Sequence, residues 1–541
     1  MATPSPAMLM PDTGDLDESL GPLADGEVSL RSWLRRLHEA EQLRQIQCEV
    51  DTNLELGAIT RINLGLAGPA LLFENLKDYR NTLSTRFLTC GLGNKRQLCA
   101  LLDLPPETAD KDIVRYVKDT YSNPVEPVVV DHSPVKQNIL TGEAIDLNQF
   151  PAPIWQELDG GRYLNTFCGI VTRDRHTGRE NIGLYRGQLV DRNHIAMVML
   201  PTQGGGGHLT SYRQNREKMP VAIAYGAHDV VPFCAGSPFP RHVCEWDMMG
   251  AILGRPLELV KCETVDLVAP AGAEVIVEGY LDPDPKSYRM EGPFGEYPGY
   301  AGGTPSPKPA LEVTCITHRD APIMRGTLEG CRPGFPSEDS ILCSYSWSAI
   351  FWNMLEAAGV VGVTDVWCPH VSTGTHIVVQ IRKQYRGHAQ QVAMALWGTS
   401  AAQWFFKHVL VVEEDIDIRD PLALEWAIAF RVNAGMDQVM MFGPTFGSPL
   451  DPSVSHDVLD MPRFRTGKWT RVLVDATRNW ELAENEDWDG RSFPPVGKLE
   501  PELEEKIRAR WEEYGIGIPY LDEDQREQLT LANLRDVLPF I

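Results

Sequence analysis

A chain of 541 residues is too long for one hydrophobic core and implies two to four domains; with 43% hydrophobic and 23% charged residues it has the balance of a soluble globular protein. The formal net charge of −24 excludes nucleic-acid binding, which needs a positive footprint, and leaves any anionic ligand to local Arg, Lys, metal or backbone N–H groups. Eleven cysteines without a C-x-x-C pair argue against a disulfide framework and suit reduced thiols in the cytoplasm, while the N-terminus lacks the form of a secretory signal and no apolar run suggests a membrane span.

Residues 1–27, rich in Pro, Gly and Asp, are expected to form a disordered acidic arm. Ser29 has the form of an N-cap, and Leu30, Trp33, Leu34 and Leu37 follow at helical spacing. Short apolar runs at 70–73 and 87–90 alternate with helical segments at 95–104 and 112–120, so residues 28–130 read as a small α/β domain. A proline-rich connector at 126–153 leads into strand signals at 195–199, 222–225, 257–262, 274–278 and 310–317, which predict a β-barrel or sandwich over 131–335. Residues 336–541 read as a second α/β unit, with helices at 346–357, 389–397 and 421–431 and strands at 375–381 and 408–412. A tail helix at 500–514 carries Leu503, Ile507 and Trp511 on one face, to pack on its own domain or on a neighbouring subunit.

Several segments could carry chemistry. In Glu291-Gly-Pro-Phe-Gly-Glu296 two acids flank a turn; Gly292 and Gly295 permit sharp backbone and Pro293 fixes one φ. Two such carboxylates in one site would raise one pKa and make a general acid; otherwise this is a surface turn. In Asn181-Ile-Gly-Leu-Tyr-Arg186-Gly an extended strand would point Asn181 and Tyr185 one way and Arg186 the other. Arg186 is either an anion-binding guanidinium or an edge-strand arginine. Four glycines before His208 suggest a floppy loop or a backbone that wraps a ligand. Glu245 and Asp247 precede an apolar run and could open a helix. Asn181, His208 and Glu245 would together offer an O/N/O set suited to Mn2+, Mg2+ or Fe2+. Cys368, His370 and His376 read as structural.

In this order, NIGLYRG (181–187), VKCETVDLVAPAGAEVIVEG (260–279), EGPFGEYPGY (291–300), VQIRKQYRGHAQQV (379–392) and SPLDPS (448–453) resemble the UbiD family of decarboxylases, and the likeness runs from about residue 30 to about residue 520. The resemblance implies an N-terminal α/β domain, a central split β-barrel that binds prenylated FMN, and a C-terminal α/β oligomerisation domain. It implies Arg186, Glu291 and Glu296 as catalytic, and Asn181, His208 and Glu245 as ligands of a divalent metal that also binds the cofactor phosphate. Ile182, Leu184, Tyr185, Arg186 and Arg431 would contact the cofactor, with Arg431 near a K+ site. The implied reaction is reversible, non-oxidative decarboxylation of an aromatic, heteroaromatic or α,β-unsaturated acid through a covalent cofactor adduct. Glu296 would protonate the carbon that loses CO2, and the three charged groups would titrate together. A flavin prenyltransferase would supply the cofactor, and dimers or hexamers are expected. The 327–337 loop and Ser448 and Leu450 should line the substrate pocket. Arg325 or Arg332 either grips a second anionic group, as in a diacid or CoA thioester, or is an ordinary loop arginine. The competing readings are a flavin oxidoreductase on a split barrel and a non-catalytic subunit of a carboxylase complex.

Overall fold

The computed structural model describes residues 16, 20–333, 335–399, 405–454, 467–497 and 499–521, in a multidomain α+β arrangement. Ser29 caps the Leu30–Glu39 helix with a reciprocal Ser32 bond, and Leu30, Trp33, Leu34 and Leu37 are buried as their spacing predicts. The helix covers a sheet ordered Leu43–Ile46, Ala70–Phe73, Arg86–Thr89 and Ile323–Arg325, so a strand far along the chain completes the N-terminal unit. Residues 20–27 correct the expectation of a disordered arm. Leu16 and Leu20 are buried, Arg31 Nη1 donates to the Leu20 carbonyl at 2.8 Å, and Arg319 Nη1 donates to Glu27 Oε1 at 2.8 Å. Two leucines and fixed cation partners outweigh the polar composition there; residues 1–15 and 17–19 lie outside the described residues.

The central unit is a curled, half-barrel sheet of nine antiparallel strands. Its spine is Ala310–His318, which pairs with Val275–Leu281 along its length, with His194–Met197 at one end and with Asn138–Thr141 at the other. Alternation sets the two faces. Met219, Val221, Ile223 and Tyr225 enter the barrel core with Tyr163, Ile170 and Val277, while Ala222 and Ala224 face a second core. The expected strand at 257–262 stands apart, in a small sheet with Val128–Val130 and Val268–Pro270.

The C-terminal sheet runs Val363–Trp367, His376–Ile381, His408–Glu413, Gly467–Asp475, Val439–Gly447, with parallel pairing at its centre. The Ser348–Ala357, His388–Trp397 and Pro421–Arg431 helices accompany it. A π turn, Cys343–Trp347, joins Glu338–Leu342 to Ser348–Ala357. The tail helix Pro501–Ala509 buries none of its residues.

Candidate active site

The strand expected over 181–187 is broken. Glu180–Gly183 ends it, Gly187–Asp191 begins another, and residues 184–186 turn between them. The break cancels the alternation that would have sent Arg186 away from Asn181. Asn181, Tyr185 and Arg186 all line one cavity of about 700 Å3, together with Leu184, His208, Glu245 and Glu296.

At one part of this cavity Arg186 bridges two acids. Its Nε and Nη2 donate to Glu291 Oε1 and Oε2 at 2.9 and 3.0 Å, and its Nη1 donates to Glu296 Oε1. Two short ladders aim the acids. Glu291 ends the Arg289–Glu291 strand, paired with Ser306–Lys308; Glu296 follows Phe294–Gly295, paired with Ala301–Gly302. The turn between them needs Gly292, at φ +90°. Gly302 is required for a different reason: a Cβ there would lie 2.2 Å from Glu296 Cγ. Glu291 is 1% exposed and accepts a further bond from Tyr163 OH at 2.9 Å. Burial, reinforced by the Glu291 charge, pushes the Tyr163 phenol up, so it stays a donor. The Phe294 ring lies 5.3 Å from Arg186 Cζ, on the cavity wall. Burial pushes the neighbouring Lys308 pKa down.

The glycine run corrects a second expectation: it is the first turn of a helix, Gly204–Asn215, not a floppy loop. Without side chains this turn presses onto Asn181 and Tyr185; a Cβ at Gly204 would lie 2.4 Å from Asn181 Oδ1, and Gly205 N–H donates to Tyr185 OH at 2.8 Å. The helix N-terminus thus opens onto the cavity at Gln203 and Gly204, where an anion such as phosphate is favoured. His208 sits one turn further on and also lines the cavity. Its Nδ1 is engaged with Thr172 Oγ1 at 2.9 Å, which leaves Nε2 for a ligand, and burial holds its pKa below the usual value. Glu245 opens the Glu245–Leu253 helix, accepts from Asn181 Nδ2 at 2.7 Å, and is pushed up to about 7 by burial. A cation beside it would relieve that penalty, and a neutral imidazole, a carboxylate and an amide oxygen suit a hard divalent ion. Among the described residues no three His, Cys, Asp or Glu side chains gather as a metal site, so the set depends on Asn181.

Other expected residues fall elsewhere. Arg325 is 1% exposed and its guanidinium is committed to Asp229 and Glu338, so it has no donor left for a substrate. Arg332 is exposed, packs over Phe335 and does not line the cavity. Arg431 is tied to Asp415 at 3.0 and 2.6 Å, away from the cavity wall. Ile182 is buried in the core rather than facing the cavity. Leu450 does line the cavity, whereas Ser448 lies behind it and accepts from Tyr297 OH at 3.0 Å. Cys368 is buried, and His370 Nδ1 bonds Ser344 Oγ at 2.7 Å while His376 pairs in register with His408, in keeping with structural roles. Sequence reading missed Thr172, Tyr163 and Asp159, whose Oδ1 accepts from Gly295 N–H at 3.0 Å. Each acts through a partner more than thirty residues away, which local spacing does not reveal.

With this geometry in view, the sequence matches three consecutive family descriptions: 3-octaprenyl-4-hydroxybenzoate carboxy-lyase N-terminal domain over residues 34–117, Rift-related domain over 128–332, and C-terminal domain over 341–476. An uncharacterized protein of Aquifex aeolicus is 31% identical over 504 residues, 90% of this chain and 98% of the relative. The vanillic acid decarboxylase of Sedimentibacter hydroxybenzoicus in closed form is similar at a TM-score of 0.79 and 27% identity, covering 91% of this chain and 98% of that one. The UbiD-class enzyme HmfF from Pelotomaculum thermopropionicum, solved in complex with FMN, gives 0.72 and 30%, covering 88% and 98%; its evolved dimeric form in complex with prFMN gives 0.72 and 27%, covering 90% and 100%. Matched in all three parts and along nine-tenths of its length, this chain belongs to the UbiD family of carboxy-lyases.

Proposed function

We propose that this chain catalyses reversible, non-oxidative decarboxylation of an aromatic, heteroaromatic or α,β-unsaturated carboxylic acid with prenylated FMN bound in the 700 Å3 cavity. One observation carries the reading: Arg186 and Glu296 line a cavity that also presents Asn181, His208 and Glu245, and Arg186 ties Glu296 to the buried Glu291. Asn181, His208 and Glu245 would hold a divalent ion, Mn2+ in the first instance, and the start of the Gly204–Asn215 helix would meet the cofactor phosphate. The prenylated flavin supplies an electron sink for the charge left as CO2 departs.

The remaining work falls to the side chains. Arg186 offers a guanidinium fork to the substrate carboxylate. Glu291, held by Arg186 and Tyr163, fixes the direction of that fork. Glu296, released from Arg186 and protonated from solvent, would deliver that proton to the carbon that loses CO2. A K+ ion near Arg431, whose guanidinium is held by Asp415, belongs to the same reading.

A flavin prenyltransferase would supply the cofactor. The reduced state of all eleven cysteines suits a cytoplasmic setting, and no helix among the described residues is long and apolar enough to cross a membrane. Exposed Trp426, Ile428 and Phe430 on the Pro421–Arg431 helix, with Met441 on an edge strand, support a homo-oligomer.

The test is Glu296→Gln, co-expressed with a flavin prenyltransferase. Cofactor absorbance and mass should match the parent, while CO2 release falls by about 10²–10⁴-fold. Parent-like turnover in the variant would remove Glu296 from the chemistry. Plain FMN with redox turnover in the parent would favour the oxidoreductase reading.

A further inference from the structure

The two acids of the trio are supported unequally. Glu291 accepts from Arg186 Nε and Nη2 and from Tyr163 OH, and its strand pairs over three residues with Ser306–Lys308. Glu296 has less. Its only side-chain partner among the described residues is Arg186 Nη1, and it follows a two-residue ladder, Phe294–Gly295 with Ala301–Gly302. The hairpin tip beyond that ladder is exposed at Tyr300. A proton donor held by one releasable contact depends on its backbone to reach the reacting carbon, because transfer needs placement to a fraction of an ångström.

The segment 155–161 braces that backbone from outside the cavity. Asp159 Oδ1 accepts from Gly295 N–H at 3.0 Å, and its Oδ2 accepts from the N–H groups of Trp155 and Gln156, each at 3.1 Å. One oxygen thus steadies the local turn while the other holds a residue 136 positions away. Gly295 is the residue just before Glu296, whose own N–H is spent inside the hairpin on the Tyr300 carbonyl at 2.9 Å. Two more contacts seat the segment on the catalytic turn. Gly160 N–H donates to the Pro293 carbonyl at 2.7 Å. Gln188 bridges both sides, accepting from Gly292 N–H at 2.9 Å and donating to the Gly160 carbonyl at 3.2 Å. The approach is close enough to need glycine: a Cβ at Gly160 would lie 2.0 Å from the Gly292 carbonyl oxygen. Glu157 and Leu158 face solvent, and Asp159 does not line the cavity, so it touches neither substrate nor cofactor.

Resting on the decarboxylase reading, we infer that Asp159 is a positioning residue for proton delivery: through Gly295 it fixes where the Glu296 carboxyl reaches. Tyr163, through Glu291, steadies the Arg186 fork that receives the substrate carboxylate. Grip and proton delivery are therefore supported from different sides of one turn, and mutation separates them. Asp159→Ala strips Gly295 N–H of its acceptor and frees the short ladder to shift. The fork is spared, since Glu291 keeps its three donors. Tyr163→Phe does the reverse, loosening Glu291 and leaving the Asp159 bond in place.

The test compares holoenzymes of the parent, Asp159→Ala, Asp159→Asn and Tyr163→Phe, co-expressed with a flavin prenyltransferase. Cofactor content should match the parent throughout. Amide exchange read by mass spectrometry should quicken at least about tenfold at Gly295 in Asp159→Ala and stay unchanged there in Tyr163→Phe. Benzoate, as a probe of the fork, should bind Asp159→Ala within about twofold of the parent and Tyr163→Phe about tenfold more weakly. CO2 release is then measured with the best acid of an aromatic, heteroaromatic and α,β-unsaturated panel. Asp159→Ala should lose about 100-fold in kcat with KM within about threefold, because a shift of about 1 Å in a reacting group costs that much. Heavy water should slow this variant more than the parent, since proton delivery has become the slow step. Asp159→Asn, which keeps one acceptor oxygen, should fall between the two. Parent-like kcat in Asp159→Ala, a rise in KM that accounts for the whole loss, or unchanged exchange at Gly295 would overturn the inference and leave the decarboxylase reading intact. Failure of every acid to lose CO2 in fully loaded parent enzyme would overturn both.

Discussion

Replacing Arg325 with methionine removes a guanidinium that is 1% exposed and holds three parts of the chain together. Arg325 lies on the strand that completes the N-terminal sheet, Asp229 precedes the Val230–Ala235 helix, and Glu338 opens the helix that lines the cavity. The lost contacts are two to Asp229 at 3.2 and 3.1 Å, two to Glu338 at 3.1 and 2.5 Å, and one to the Gly326 carbonyl at 2.7 Å. Methionine refills most of the side-chain volume, so the main cost is electrostatic. Glu338 keeps two backbone donors, but Asp229 keeps only the Trp33 Nε1–H bond at 3.0 Å among the contacts described. Breaking a buried pair costs about 3–5 kcal/mol. Burial already pushes the Asp229 pKa up, so it takes a proton when Arg325 leaves, which puts the cost near about 3 kcal/mol. A chain with several cores unfolds in steps, and urea-dependent hydrogen exchange of the Leu30–Glu39 helix, which carries Trp33, reports the step that matters here. With a urea slope of about 1–3 kcal/mol per molar, its midpoint should fall by about 1–3 M. An unchanged midpoint with a raised KM would refute the reasoning and return Arg325 to the substrate pocket.

Two further outcomes follow from buried histidines. His228 Nδ1 accepts from Val230 N–H at 3.2 Å, its ring lies 5.4 Å from that of Trp33, and burial pushes its pKa from 6.5 down to about 3. Between those values the unfolded chain binds the proton and the folded chain does not, so this contribution is complete above pH 6.5 and is lost as pH falls toward about 3. The loss from pH 6.5 to about 5 is about 2 kcal/mol, and urea midpoints of His228→Gln should lack that part of the acid sensitivity. Thr172→Val removes the partner of His208 Nδ1 and should weaken Mn2+ binding by about 10–100-fold in equilibrium dialysis. An unchanged dissociation constant would show that Thr172 does not orient the ring.

The features legible in the sequence are those whose cause is local. Ser29 and its helix, the Pro421–Arg431 helix, and the turn between Glu291 and Glu296 are set by residues within a few positions of one another. The two errors at the cavity have local appearance but distant cause. Gly183 ends a strand that composition would continue, and the break brings Arg186 to acids 105 and 110 residues away. Four glycines look disordered, yet they form a helix because their missing side chains let it close on Asn181 and Tyr185. Arg325 shows the same limit from the other side: a lone arginine near the expected pocket is claimed by Asp229, 96 residues earlier.

The same distinction explains why reaction class was easier to read than substrate. Arg186, Glu291 and Glu296 form one ion cluster, and the proposed chemistry rests on those three identities. Other charges near the pocket have no meaning until folding commits them: Arg325 is taken by Asp229 and Glu338, and Arg61 turns to the main-chain carbonyls of Glu329 and Gly330. What remains for the substrate is set by which neighbouring charges are already spent, and that balance exists only after folding.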